Sequence, residues 1–156
     1  VVLEATGAWF PTLRPVPRNR FRETATLAPG GDLANIIGLS ELRREEVLAL
    51  DPIDTRKAQS FDWPASQVGR MEGPPRGVKE TMAHDPGLPR LVMFHDSFGN
   101  ALVPFLSEHF SRAVHVSHGM GFDAPLLERE RPDVVFQELT ERYLWVDFPA
   151  AYENRP

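Results

Sequence analysis

The chain has 156 residues, the length of one ordinary domain, and its 42% hydrophobic and 25% charged residues are a globular balance that excludes a disordered chain. Seventeen basic against 22 acidic residues leave a net charge of −5, which argues against a nucleic-acid partner held by a broad basic surface. No apolar run approaches the roughly 18–20 residues of a membrane span, and the lack of cysteine excludes disulfides, thiolate metal sites and cysteine nucleophiles.

The first residue is Val1, and residues 1–10 read like the middle of an element with no cap. An amino-terminal truncation is therefore expected, in which case no targeting signal would be visible. Val1 to Phe10 reads as the end of a helix that Pro11 stops. Phe21 to Leu27 alternates and contains threonines, the pattern of a short strand. Pro29-Gly30-Gly31 is a turn. Asp32 then suits a helix N-cap, with Leu33, Ile36 and Ile37 as the apolar face and Gly38 as the stop. Ser40 would cap a second short helix carrying Leu42. Val47 to Ile53 is a strand, Pro64 to Pro75 a loop, and Val78 to Met82 another strand leading into the turn Asp85-Pro86-Gly87. Residues 1–90 hold most of the prolines and glycines and read as an irregular inserted region.

Residues 91–148 read as an α/β core. Leu91 to Phe94 is a continuous apolar run, as in a buried parallel strand. Asn100 to Phe110 carries Leu102, Phe105, Leu106 and Phe110 on helical spacing, with Pro104 near the first turn, where a proline costs least. Ala113 to Val116 is the next strand, Ala124 to Arg131 the next helix, stopped by Pro132, and Asp133 to Leu139 the third strand. Strand, helix, strand, helix, strand implies parallel strands joined by right-handed crossovers, with helices covering the sheet.

In such a sheet ligands bind beyond the carboxyl ends of the strands. That rule selects His95-Asp96-Ser97-Phe98-Gly99-Asn100, then Ser117-His118-Gly119-Met120-Gly121, then Thr140-Glu141-Arg142-Tyr143. Ser97 sits where a buried strand turns into a helix, and the backbone N–H groups there can stabilise an oxyanion. A serine hydroxyl needs a histidine base, usually oriented by a carboxylate. Asp96 would point away from Ser97 and hold the turn instead. Two readings stay open from the residues alone: Ser97 is a nucleophile, with Asp96, Phe98, Gly99 and Asn100 forming the oxyanion site or supporting it, or Ser97 merely helps cap a helix. His95 in the first glycine position makes only a partial nucleophile-elbow match.

His95 and His118 are candidates for the wall of a site or for substrate contact, and His118, with Asp123 nearby, could also serve as a base. His109 should face solvent on its helix, His115 should be a structural histidine within its strand, and His84 lies in a loop. No histidine pair has a metal-ligand spacing with a carboxylate, so no metal is expected. Arg142 could hold an anionic sugar carboxylate through its planar fork, while Glu141 and Arg142 together could brace the Ser97 loop or be a solvated pair. Tyr143, Trp145 and Phe148 could stack on sugar rings, or pack in the core.

LVMFHDSFGNALVPFLSEHFSRAVHV, followed by RPDVVFQELTERYL, resembles the SGNH-hydrolase-like domain of the alginate O-acetyltransferase family, the AlgX and AlgJ group. The stretch from Trp9 to Leu39, with Gly30-Gly31-Asp32-Leu33, resembles the segment between that family's two catalytic motifs. The resemblance implies a three-layer SGNH- or flavodoxin-like α/β sheet, with residues 1–156 an incomplete piece of a single such domain. It implies that Ser97 is the nucleophile, carrying acetyl groups to hydroxyls of an exported polysaccharide through an acetyl-serine, without a cofactor. The site would lie in the periplasm, outside the cytoplasmic membrane, and a membrane acetyl-transfer partner could supply the acetyl group. The family's catalytic Asp and His come in an Asp-x-His-Trp motif upstream of the serine. That motif is absent from these residues, and the resemblance would place it shortly before Val1. Water as acceptor would give an acetylesterase instead. A noncatalytic carbohydrate-binding or assembly module of polysaccharide export is the alternative that the missing motif favours.

Overall fold

The computed structural model describes residues 2–54, 58–63, 77–117 and 121–141. The chain forms two compact units: Pro15–Arg56, and Val1–Arg14 together with Lys57–Pro156. These boundaries differ from the change in proline and glycine content near residue 90.

The larger unit is built on a five-stranded sheet. Its strands are β3 (Gln59–Asp62), β4 (Val78–Met82), β5 (Arg90–His95), β6 (Arg112–Ser117) and β7 (Val134–Glu138), in the spatial order β3-β4-β6-β5-β7. β5 is the central parallel strand, pairing Leu91 with Ala113 of β6 and with Val134 of β7. The three parallel strands and their crossovers follow the expectation for residues 91–139. β4 runs antiparallel to β6, and β3 antiparallel to β4, so the parallel part is extended by an antiparallel margin.

The hydrophobic pattern of β5 explains its place. Residues 91–95 are all buried, because alternate side chains enter two separate cores. Leu91 and Met93 join Leu13, Leu106, Phe110, Ala113 and Val134 on one face. Val92 and Phe94 join Val78, Val114, Val116 and Leu126 on the other. Helix α1 (Val2–Gly7) and the segment after it bring Leu3, Phe10 and Leu13 to the first core. The second is covered by helix α4 (Ala124–Glu130). Helix, sheet and helix make a three-layer α/β arrangement.

Helix α4 starts and stops for local reasons. The Asp123 carboxylate accepts the Leu126 N–H at 2.8 Å, an N-cap, and Pro125 lies in the first turn. Arg131 at φ 44° closes the helix in the left-handed conformation, its N–H donating to the Leu127 carbonyl at 2.9 Å.

The single helix expected over Asn100 to Phe110 is instead three short pieces. A 3-10 helix spans Phe98–Ala101, α3 spans Val103–Leu106, and a second 3-10 turn spans Ser107–His109. Side chains add bonds to its carbonyls: Ser107 Oγ donates to the Val103 carbonyl at 2.5 Å, which also accepts the Ser107 N–H, and His109 Nδ1 donates to the Phe105 carbonyl at 2.8 Å. The same bond draws His109 inward. It is buried, contrary to the solvent-facing position expected for it. β3 was not anticipated, since QSFD is four residues long with one apolar side chain and all four are exposed.

The smaller unit contains a two-stranded antiparallel sheet of β1 (Phe21–Pro29) and β2 (Arg44–Pro52), in register from Phe21↔Pro52 to Pro29↔Arg44. Helix α2 (Asp32–Ile36) lies in the connection, and Gly38 at φ 70° follows it, a conformation glycine adopts without strain. Both strands and α2 fall where the sequence places them. Ile36 and Ile37 are exposed rather than forming a buried face, and residues 40–42 form a turn, not the second helix expected there. An ion pair between Arg20 and Asp54 and the Ile53 N–H to Arg20 carbonyl bond close the open end. The expected loop over residues 64–75 lies outside the described residues.

Candidate active site

The parallel order β6-β5-β7 makes β5 the point where the chain reverses its direction of travel across the sheet. The crossover from β5 to β6 runs over one face and the crossover from β6 to β7 over the other, as right-handed connections require. The crossovers leaving β5 and β6 therefore run to opposite faces from the carboxyl edge, the usual ligand position in such sheets. Ser97 is in the first of them, and Thr140 follows β7 on the other side of β5.

Ser97 is exposed, at the start of the 3-10 helix. Its backbone is ordinary right-handed helix, φ −63° and ψ −25°, so it is not held in a strained elbow. Asp96, only 3% exposed, holds the turn. Its Oδ1 accepts the Phe98 N–H at 2.8 Å, and its Oδ2 accepts both the N–H and the hydroxyl of Thr140 at 2.8 Å each. The carboxylate thus ties the Ser97 turn to Thr140, just beyond β7. This bond occupies the Phe98 N–H, which is thereby withdrawn from the oxyanion role considered for it.

Asn100 is exposed and its Nδ2 donates to the Ser97 carbonyl at 3.1 Å, bracing the turn from the other side. Gly99 is buried against His95: a Cβ there would stand 2.4 Å from the His95 Cβ. Only glycine lets the 3-10 helix lie this close to β5. His95 is fully buried, its Nδ1 donating to the Asp96 carbonyl at 2.7 Å. A carbonyl can only accept, so this bond places a proton on Nδ1.

Two carboxyl groups meet beneath the turn. Burial pushes the Asp96 carboxyl up, but its bonds from Thr140 N–H, Thr140 hydroxyl, Phe98 N–H and Glu138 outweigh that and hold it below the usual range. Burial, then the Asp96 charge, pushes the Glu138 carboxyl up.

Beside this turn lies a cavity of about 400 Å³, bounded by Asp62, Lys79, His95, Asn100, His115 and Ser117 among others. His115 is buried with its Nε2 3.3 Å from the Thr81 hydroxyl, and burial foremost, then the charges of His95 and Lys79, pushes it down to about 4. It is neutral at pH 7 and lies in the strand as a structural histidine would. Ser117 Oγ donates to the Gly77 carbonyl at 2.9 Å. Among the described residues no imidazole hydrogen-bonds the Ser97 hydroxyl, and no group of three His, Asp or Glu is placed to hold a metal ion.

The structure thus brings His95, Asp96, Ser97, Phe98, Gly99 and Asn100 together. Glu141 is exposed next to Thr140 in sequence. His118, Arg142, Tyr143, Trp145 and Phe148 lie outside the described residues. Sequence reasoning missed the roles of Glu138 and Thr140, although the strand-end rule had already selected Thr140's segment. Glu138 is legible only from register, since it pairs with His95 across β5 and β7.

No family model matches the chain, and no curated protein matches it. Solved structures do. A DHHW family protein from Eubacterium siraeum superposes with a TM-score of 0.64 at 13% identity, over 88% of this chain and 53% of that one. PatB1 of Bacillus cereus, determined with a sulfonyl adduct, gives 0.64 at 13% identity over 94% and 55%, and a second PatB1 structure gives 0.62 at 11% over 92% and 57%. The likeness is one of fold, and the chain spans a little over half the length of these proteins.

Proposed function

We propose that this chain is the serine-bearing part of a carbohydrate O-acetyltransferase domain of the SGNH type, with Ser97 as the nucleophile. The observation that supports it most is the exposed Ser97 hydroxyl at the carboxyl end of the central parallel strand, on a turn that Asp96 and Asn100 hold from both sides. PatB1, whose fold this chain shares, is an O-acetyltransferase, and the sequence resemblance to the alginate O-acetyltransferase group points to the same chemistry. A polysaccharide acceptor, a membrane partner handing on the acetyl group and a site outside the cytoplasmic membrane are the finer parts of the proposal, and they rest on that resemblance.

In the proposed reaction Ser97 Oγ attacks the acetyl carbonyl of the donor. Its proton passes to a base, the bond between the acetyl carbon and the donor's leaving group breaks, and acetyl-Ser97 forms. A sugar hydroxyl then attacks the acetyl-serine, releasing the Ser97 hydroxyl and the acetylated sugar. Water in place of the sugar gives an esterase with the same residues, so the choice depends on sugar positioning and water exclusion. The base would be the histidine of an Asp-x-His pair, which these 156 residues do not contain. A noncatalytic carbohydrate-binding module is the second reading, favoured by the absence of any imidazole on the Ser97 hydroxyl among the described residues.

The test is mass spectrometry after a polypeptide that also carries the Asp-x-His pair is incubated with p-nitrophenyl acetate. An acetyl adduct on the Ser97 peptide, absent from Ser97→Ala, is the expected result. Equal p-nitrophenol release by the two proteins would overturn the nucleophile assignment. Turnover of the 156-residue chain should be lower by several orders of magnitude than that of a polypeptide that also carries the Asp-x-His pair, the usual cost of a missing base. A reading frame upstream of Val1 encoding Asp-x-His-Trp supports the enzyme, and a start codon with a signal peptide directly before Val1 supports the binding module.

A further inference from the structure

Glu138 is the last residue of β7 and pairs in register with His95, on the sheet face covered by residues 98–110. Its Oε2 is buried and accepts no hydrogen bond. Its carboxyl group lies within hydrogen-bonding reach of the Asp96 carboxyl, and the Asp96 N–H donates to the Glu138 carbonyl at 3.3 Å. The titratable groups facing it are Asp96 and His95. Asp96 already accepts three hydrogen bonds, from Phe98 N–H and from the N–H and hydroxyl of Thr140. Two adjacent carboxyl groups, Asp96 buried and Glu138 half-buried, cannot both ionise cheaply. The one saturated with donors keeps the charge, and the one without donors keeps the proton.

We propose that Glu138 is a positioning residue: as a carboxylic acid it donates its proton to the Asp96 carboxylate, and so locks the turn that presents Ser97 to the loop beyond β7. The consequence for Ser97 chemistry rests on the function proposed above, but the proton-sharing contact does not. Loss of that proton puts two carboxylates side by side, one of them buried, and Asp96 can then keep Phe98 and Thr140 only by holding the repelling pair together. The turn therefore loosens as pH rises through the raised Glu138 titration, the direction opposite to the ordinary loss of a carboxylate bond in acid.

The test uses the whole chain and follows the Phe98 and Thr140 amide protons by NMR against pH. In the wild type both should titrate together above the ordinary carboxylate range, with amide exchange beyond its normal base catalysis on the high-pH side. Glu138→Gln is close to isosteric and keeps a donor without a titratable proton. Its two amides should hold the wild-type low-pH positions throughout and lose the titration. Glu138→Ala removes the donor and should speed Phe98 exchange by about tenfold at every pH, the worth of one charge-assisted hydrogen bond. A wild type whose two amides do not titrate in that range overturns the proposal without any variant, as does Glu138→Gln titrating like the wild type. None of these readouts uses acetyl transfer, so a failed Ser97 assignment and a failed Glu138 assignment remain distinguishable.

Discussion

The two sheets of this chain are paired by the same backbone chemistry and buried to opposite degrees. β1 and β2 pair over nine residues each, and nearly all of them are exposed. β5 is only six residues long, and five of them are buried. Ladder hydrogen bonds exchange for bonds to water and contribute little net, so a long two-stranded ribbon without a covered face is marginal by itself. What distinguishes β5 is coverage on both faces, and its sequence shows why: Leu91 to Phe94 offers apolar side chains in both directions, whereas Glu23 to Ala28 offers one large apolar side chain, Leu27, among polar and small ones.

The sharpest way to break the comparison is to remove equal chemistry from each sheet. Phe94 is completely buried and meets Phe122 edge-on with ring centroids 5.4 Å apart. Phe94→Ala should cost about 3–5 kcal/mol, the range for a buried aromatic truncated to a cavity. Leu48, on the exposed ribbon, is 58% exposed, and Leu48→Ala should change stability by less than about 0.5 kcal/mol. All three tryptophans belong to the larger unit, so urea unfolding followed by tryptophan fluorescence reads that unit, and far-ultraviolet circular dichroism on the same samples reads the ribbon with it. Comparable midpoint shifts for the two variants would show that the ribbon carries as much of the stability as the buried sheet.

Acid provides the next largest effect. His115 is held neutral by burial, pushed down to about 4, while an unfolded chain protonates near 6.5. Its contribution to stability is therefore fully present above about pH 6.5 and is lost as pH falls towards 4, because the unfolded state takes up the proton first. Between pH 7 and 5 the loss should be about 2 kcal/mol. Glu138 works in the other direction, since a raised acid contributes most at low pH and loses that contribution as pH rises. The comparison that isolates His115 is the wild type against His115→Leu, whose pH dependence over the same interval should be flatter by that amount. Equal slopes would show that the ring is protonated at little cost within the fold.

How much of this could be seen in the sequence depends on the range of the forces involved. β5, β6, β7 and α4 are legible because continuous apolar runs, a proline stop and a strand-helix alternation are local signals. Of the antiparallel margin, β4 is legible as the strand Val78–Met82, but β3 is not, because it has one apolar residue in four and gains its place by pairing with β4. The break in the 98–110 helix leaves no mark in the apolar spacing, and the Ser107 and His109 side chains that bond carbonyls within that segment are ordinary helix residues in a sequence pattern. At the candidate site, Ser97 and the turn-holding part of Asp96 were legible from strand-end position. The Asp96 bonds to Thr140 span 44 residues, and the Glu138 pairing depends on register, so neither leaves a local pattern.

The smallest effect concerns α4, the one helix among the described residues of the parallel core that a side chain caps at its N-terminus. Asp123 is 5% exposed, and its Oδ1 accepts the Leu126 N–H while its Oδ2 has no partner. Replacement by alanine leaves that N–H without its acceptor, and N-cap losses of this kind cost about 1 kcal/mol. The cost should be felt in the larger unit, because α4 carries Leu126 into the core that contains Phe94. Asp123→Asn keeps an acceptor for Leu126 and removes a buried oxygen that nothing solvates, so it should stay within about 0.5 kcal/mol of the wild type. A loss with asparagine as large as with alanine would mean that the charge, acting on the first turn of α4, matters more than the hydrogen bond. The buried sheet would then depend on the electrostatics of its cover as well as on apolar contact, a dependence the exposed ribbon has no means to share.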